Sequence, residues 1–283
     1  MDEAIRAGQE SEEKIHSFYK SALRSYETMF KKPDPGLIVY DYAEPLSIGL
    51  GADFLPTRIR LFDTILQGGF RRGELGTIMA RFSHGKTAIL SILGSRFYIQ
   101  GYHVLHVILE DNIGDIKRQY DRILEHYKLT TDDIFSKVWL VDGMTKAPKL
   151  TDLDLLVEQY SPDVVIVDYV DAFVGNIALQ SWESLQRIMQ ELRRIAHKHN
   201  CVVLTASQAT FEDEGKFQMR PNRLVGSKVG KAATTDVLWG FTLDDKTPNV
   251  TWLTVLKGKG RQRLTNVLYQ MGVDFSIPRI WSL

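Results

Sequence analysis

The sequence predicts an α/β fold built on one mainly parallel sheet, with an antiparallel C-terminal edge and an amphipathic helix ahead of the sheet. Three observations predict it. From about residue 60, short apolar, β-branched runs alternate with longer amphipathic stretches, and buried parallel strands read in just this way, with helical crossovers covering both faces. After Asp236 the rhythm changes to strand-like runs joined by short polar links, the pattern of hairpins finishing one edge. The chain is also of the right size: 283 residues with 44% hydrophobic content can bury one substantial core plus a short appendage. The expected division is an N-terminal helix and linker over residues 1–55 and a core over 56–283.

At the N-terminus, Ile15, Phe18, Ala22, Tyr26 and Met29 recur at three- and four-residue steps among Glu, Lys and Arg. This is one apolar stripe along a helix, and Lys31-Lys-Pro-Asp-Pro-Gly36 ends it because proline and glycine cannot continue it. The stripe has two available partners, the chain's own core or a neighbouring subunit, and the sequence does not choose between them. In the core the predicted elements are Gly76–Ala80, Thr87–Gln100, His103–Leu109, Ile113–Tyr127, Val138–Val141, Leu153–Tyr160, Val164–Val167, Ser184–His199 and Val202–Ala206. The closing hairpins are Val237–Thr242, Val250–Leu256 and Thr265–Gln270.

Between the first core strand and the first core helix lies Ala80-Arg81-Phe-Ser83-His84-Gly85-Lys86-Thr87. A loop in that setting turns successive backbone N–H groups and a helix N-terminus towards one point, where a polyphosphate meets oriented dipoles. Lys86 adds a charge for the β- and γ-phosphates, and the Thr87 hydroxyl is a natural Mg²⁺ ligand. Ala80 stands where such loops usually have their first glycine; Gly85, where backbone and phosphate come closest, is kept.

The other strand ends carry polar groups to the same edge, the edge where ligands of parallel sheets bind. Val164-Val-Ile-Val-Asp168 delivers a carboxylate suited to hold Mg²⁺ through its water shell. Val107-Ile-Leu-Glu110 delivers a second, either a group that polarises an attacking water or a solvated acid ahead of the helix cap at Asp111-Asn112. Val202-Val-Leu-Thr-Ala-Ser-Gln208 ends in an amide able to hydrogen-bond a γ-phosphate and report its presence to the following loop.

Composition sets limits on partners. Lys plus Arg equals Asp plus Glu at 35 each, so no global basic field holds nucleic acid and any such contact is local. The single cysteine, Cys201, opens an apolar run, which leaves neither a disulfide nor a Cys-based zinc site and fits a reducing, cytoplasmic setting. No long apolar stretch, signal peptide or lipidation signal is apparent, so no membrane association is expected.

The ordered set Ala80-Arg-Phe-Ser-His-Gly-Lys-Thr87, Ile108-Leu-Glu110, Ile166-Val-Asp168-Tyr169 and Ala206-Ser-Gln208 resembles the RecA-like ATPase core of the DnaB-family replicative helicases, over roughly residues 55 to 283. The resemblance implies a homo-oligomeric ring, usually a hexamer, that moves along single-stranded DNA in replication, in a bacterial or phage-infected cell, and hydrolyses ATP between subunits. It implies that Lys86 and Thr87 bind phosphate and Mg²⁺, that Asp168 supports the metal, that Glu110 is the general base, and that Gln208 couples nucleotide to DNA. It also implies a loader or primase as partner and a linker helix at the N-terminus that docks onto the adjacent subunit. Fewer than sixty residues precede the core, too few for the family's helical collar, and the chain lacks a cysteine-rich module of the primase kind.

In that family a basic pair after a late strand reaches the neighbour's γ-phosphate, and here Val255-Leu-Lys257-Gly-Lys259-Gly-Arg261 follows such a strand. Arg261 with Lys259 is the expected finger, and Lys257 with Lys259 has the same spacing; arginine's fixed fork and permanent charge suit a transferring phosphoryl group. Lys216, Arg220, Arg223, Lys228 and Lys231 lie between Gly215 and Thr235 without an acidic residue. Such a segment can hold the phosphates of one DNA strand without reading bases. The stretch from Asp171 to Ser181 is a second DNA-facing candidate and has no positive charge.

Overall fold

The computed structural model describes residues 54–146, 148–174, 182–209, 234–244, 246–258 and 267–283. Two compact units divide the chain, Met1–Leu50 and Gly51–Leu283, and all described elements belong to the second. The expected N-terminal helix therefore lies outside the described residues.

The described chain begins with a two-stranded antiparallel pair, β1 (Phe54–Leu55) and β2 (Phe70–Arg71), around the short helix α1 (Arg60–Leu66). Then follow β3 (Leu75–Ala80), α2 (Lys86–Ile99), β4 (Val104–Ile108), α3 (Ile113–His126), β5 (Val138–Asp142), α4 (Leu150–Tyr160), β6 (Val164–Asp168), α5 (Val170–Val174), α6 (Trp182–Lys198) and β7 (Val202–Gln208). The chain ends with β8 (Val237–Leu243), β9 (Val250–Gly258), β10 (Leu268–Asp274) and β11 (Arg279–Ser282). One nine-stranded sheet has the order β11-β10-β9-β8-β3-β7-β6-β4-β5.

From β5 to β8 every pairing is parallel, and β9, β10 and β11 add antiparallel strands on one side. The sequence reading groups the segment after Asp236 with the hairpins; instead β8 runs parallel to β3 and only its far side pairs antiparallel, with β9. Hydrophobic pattern alone does not distinguish these, because strand direction is decided by where the chain returns to the sheet. The last strand β11, the pair β1 and β2, and α1 are further elements that residue patterning does not signal: each is shorter than eight residues.

Strand residues alternate between two cores. Val164, Ile166, Val202, Leu204 and Ala206 pack with α2 and the aromatic group of Phe62, Phe70, Phe97, Trp239 and Phe241, while Val165, Val167, Val203 and Cys201 pack with Leu185, Met189 and Leu192 of α6. Burial pushes the Cys201 thiol up to about 12. Because strands buried on both faces can be apolar throughout, the polar exceptions are informative: His106 and Thr205 are fully buried in β4 and β7. Helix α2 buries residues on all sides, Ser91 and Ser95 included, as a helix sandwiched beneath other elements must.

Candidate functional site

Strand β3 stops at Ala80 and the chain turns through the loop into α2, whose N-cap is Gly85 with φ 76°. Ser83 is also left-handed, with φ 58°. A Cβ on Gly85 would lie 2.5 Å from ring carbons of Phe275, so both backbone conformation and space demand glycine. His84 Nδ1 accepts the backbone N–H of Leu243 at 3.1 Å, which ties the loop to the end of β8. This gives His84 a structural task that its place in the motif does not reveal.

Lys86 is the first residue of α2 and is 8% exposed. Its Nζ donates to the Arg81 carbonyl at 3.4 Å and lies 5.3 Å from the centroid of the Tyr169 ring. Burial lowers its pKa, while Glu110, Asp168, Asp171 and Asp111 oppose that shift, Glu110 most strongly. A buried ammonium balanced by nearby acids is a receptor for anionic oxygens once those acids are engaged elsewhere.

Glu110 follows β4 and is exposed. Burial of its carboxyl and the charge of Asp111 raise its pKa, against the pull of Lys86 and a hydrogen bond from Tyr169. The same contact, after burial, pushes the Tyr169 hydroxyl up to about 12, so the phenol is the donor. The cap of α3 is Asn112, whose Oδ1 accepts the Gly114 N–H at 2.7 Å, and this leaves Glu110 free of capping duty.

Asp168, at the end of β6, is 2% exposed. Among the described residues neither of its side-chain oxygens has a hydrogen-bond partner, and a buried carboxylate in that condition calls for a cation or its water. With the Thr87 hydroxyl at the start of α2, this donor set fits Mg²⁺, which takes one or two carboxylates and completes its shell with water and substrate phosphate. Gln208 ends β7 directly opposite Ala80, and its backbone N–H donates to Asp171 Oδ2 at 3.1 Å.

A cleft of about 560 Å³ opens here, and of the sequence-predicted residues Ser83, Gly85, Lys86, Thr87 and Glu110 line it. Ala80, Arg81, His84, Asp168 and Gln208 stand behind or beside its wall. The far wall comes from Gln119 and Arg122 of α3 and from Phe275 and Pro278 in the turn between β10 and β11. Sequence reasoning missed these four. Gln119 and Arg122 are one turn apart on a helix, but nothing in their spacing says which cleft that face meets, and Phe275 lies almost two hundred residues from the loop it covers.

The structure does not bring Lys257 to this cleft. Lys257 and Gly258 pair with Leu238 and Val237, at the level of Thr77 and Gly76, whereas the loop leaves β3 after Ala80. At the usual strand rise that is about 10 Å down the sheet from the loop, two strands away. Lys259, Arg261, Lys216, Arg220, Arg223, Lys228 and Lys231 lie outside the described residues, as do 175–181 of the second DNA-facing candidate; Asp171 to Val174 form α5.

Fold and cleft together define a nucleotide-binding ATPase of the RecA-like class. No protein of curated function matches by sequence. A family model described as AAA domain (AAA_25) matches residues 43–213, and the chain belongs to that family. Among solved structures, the ATPase domain of a phage helicase matches with a TM-score of 0.67 at 16% identity, covering 93% of this chain and 98% of that one. A DnaB-like replicative helicase, solved to show its interactions with primase, matches with a TM-score of 0.65 at 16% identity, covering 81% of this chain and 62% of that one. The RadB recombinase matches with a TM-score of 0.62 at 17% identity, covering 81% of this chain and all of that one. These likenesses are likenesses of fold. No helix among the described residues is long and apolar enough to cross a membrane.

Proposed function

We propose that this protein is an ATP-driven translocase that works on single-stranded DNA in replication, as a ring of copies of itself, six by the resemblance to DnaB-family helicases. In this reading residues 56–283 are the motor and residues 1–55 a helix and linker. Ser83, Gly85 and Lys86 hold the phosphates, Thr87 and Asp168 hold Mg²⁺, Glu110 takes the proton of the attacking water, and Gln208 links the γ-phosphate to the segment that follows it. When bound, Mg²⁺ neutralises charge on the transferring phosphoryl group. Ala80, Arg81 and His84 shape the loop, and Phe275, Gln119 and Arg122 form the wall against which the rest of the nucleotide lies. Lys216, Arg220, Arg223, Lys228 and Lys231 grip the DNA backbone. A loader or a primase completes the list of partners.

The observation that carries the reading is the division of charge between the two ends of the sheet. The phosphate loop leaves β3 at one end, while β9 carries Lys257 towards the other. A chain arranged this way supplies the phosphate grip to its own nucleotide and directs the basic segment that includes Lys259 and Arg261 towards a different molecule. Stacked head to tail, copies would complete each other's sites. The likeness to a recombinase supports a second reading, a RecA-like ATPase that coats or anneals single strands without unwinding. Forked-duplex unwinding with ATP, measured beside DNA-stimulated ATPase, separates the two: stimulation with unwinding supports the translocase, and stimulation without it favours the filament. A protein that binds nucleotide yet stays monomeric with ATP and oligonucleotide overturns both. It would then be an assembly factor or loader that uses nucleotide to hold an interface.

A further inference from the structure

His106 is the polar residue in the middle of β4, between Leu105 and Val107, and it is completely buried. In the register of β4 with β6, His106 stands opposite Ile166 and Ile108 opposite Asp168. His106 and Asp168 therefore point to the same face of the sheet as diagonal neighbours. The imidazole Nε2 lies 3.9 Å from Asp168 Oδ2. Among the described residues, Nε2 and both Asp168 oxygens lack a hydrogen-bond partner, so three unpaired polar atoms share one dry place. The other ring nitrogen, Nδ1, is 3.2 Å from the hydroxyl of Tyr120 on α3, which is 5% exposed. Gly94 of α2 makes the space: a Cβ there would strike that hydroxyl.

Two tautomers are possible, and the surroundings select between them. With the proton on Nδ1, the lone pair of Nε2 would face the lone pairs of a buried carboxylate, and the Tyr120 hydroxyl would accept while its own proton had no evident acceptor. With the proton on Nε2, Tyr120 O–H donates to Nδ1 and Nε2–H is directed at Asp168 Oδ2; an approach of about 1 Å turns that pair into a full hydrogen bond. Burial, and then the charge of Asp168, keeps the Tyr120 hydroxyl protonated and able to donate.

We propose that His106, oriented by Tyr120, is a positioning residue that fixes the Asp168 side chain for the metal of a bound nucleotide. The inference rests on the reading of Asp168 as the metal-site acid. A proton delivered to Oδ2 from beneath the sheet edge sets the plane of the carboxyl group and leaves Oδ1 to accept from the water shell of Mg²⁺. Groups behind a metal-site side chain commonly orient it in this way. The arrangement depends on residues of α2, α3 and β4 that lie outside the phosphate loop itself.

The test uses the full chain with Mn²⁺ in place of Mg²⁺. Free Mn²⁺ is counted by electron paramagnetic resonance in the presence of ATPγS, and binding of a fluorescent ATP analogue is measured separately in EDTA. His106→Phe keeps a ring and removes the donor; Mn²⁺ affinity of the nucleotide complex should fall about 10- to 100-fold, with metal-free nucleotide binding unchanged. Tyr120→Phe should act in the same direction by a smaller factor, and His106→Gln, which restores an N–H, should return most of the affinity. Unchanged Mn²⁺ affinity in His106→Phe, or loss of metal-free nucleotide binding in the same proportion, overturns the proposal. A wild-type protein that binds nucleotide but shows no added affinity for Mn²⁺ overturns the metal reading of Asp168 itself. Because a core variant can unfold, a second measurement uses wild type alone: ¹⁵N-histidine spectra should show His106 protonated on Nε2, and protonation on Nδ1 overturns the proposal.

Discussion

Lys86 and Glu110 owe their chemistry to opposite placements, one nearly enclosed at a helix start and the other exposed at a strand end. Lys86→Ala should weaken ATP binding at least about 100-fold, because it removes a desolvated charge from the phosphate position; isothermal titration checks this, and binding as tight as wild type would show that the loop is not the phosphate site. Glu110→Gln should leave binding intact and lower turnover by about 10²–10⁴, the usual contribution of a positioned base. The carboxyl of Glu110 is held above its ordinary value by burial and by Asp111. Its basic form is therefore lost as pH falls through that raised value, and the acid limb of ATPase activity should lie above the range of a free glutamate. Tyr169 donates to the charged form and so lowers this pKa. Tyr169→Phe should move the acid limb to higher pH, and a limb that stays in place or moves down in a full pH–rate profile would assign it to another group.

Helix α6 is joined to the sheet by a polar clamp as well as by its apolar face. Arg193 donates to Asp236 Oδ1 at 2.9 Å, and Asp236 Oδ2 accepts the Leu75 N–H at 3.1 Å, linking α6, the start of β8 and the start of β3. Asp236 is 3% exposed at its side chain and Arg193 32%. Arg193→Met should cost about 2–3 kcal/mol, less than breaking a fully buried pair because the guanidinium reaches solvent; equilibrium urea unfolding measures it. The packing of α2 on α3 makes a separate demand. Gly94→Ala drives a methyl group into the Tyr120 hydroxyl and should cost about 1–3 kcal/mol through overpacking. Adding Tyr120→Phe removes the oxygen that is struck, so the double variant should regain part of the loss, a coupling that two independent sites would not show.

At the scale of the whole molecule, the two ends of the sheet predict how mixed assemblies behave. If the cation comes from a neighbour, Lys86→Ala and Arg261→Ala are each inactive alone, yet mixing them creates some interfaces with an intact loop and an intact finger. ATPase activity should then reappear on mixing, at a fraction of wild type. Two inactive proteins that stay inactive together, while shown by mass measurement to co-assemble, would place the finger elsewhere, Lys257 or Lys259 being the next to test.

Much of this was legible in the residues. Ala80-Arg-Phe-Ser-His-Gly-Lys-Thr87 between an apolar strand and a helix announced a phosphate loop, and Val164–Asp168 announced a buried strand ending in an acid, because local backbone sterics and burial act on neighbours in the chain. The direction of β8, the tether from His84 to Leu243, the cover that Phe275 places over Gly85, and the alignment of Tyr120, His106 and Asp168 were decided by tertiary structure. Each joins residues at least fourteen positions apart, and such pairs meet only after the sheet has set its strand order and register. A sequence pattern states which face of a strand is buried; which partner waits there is a property of the packed sheet.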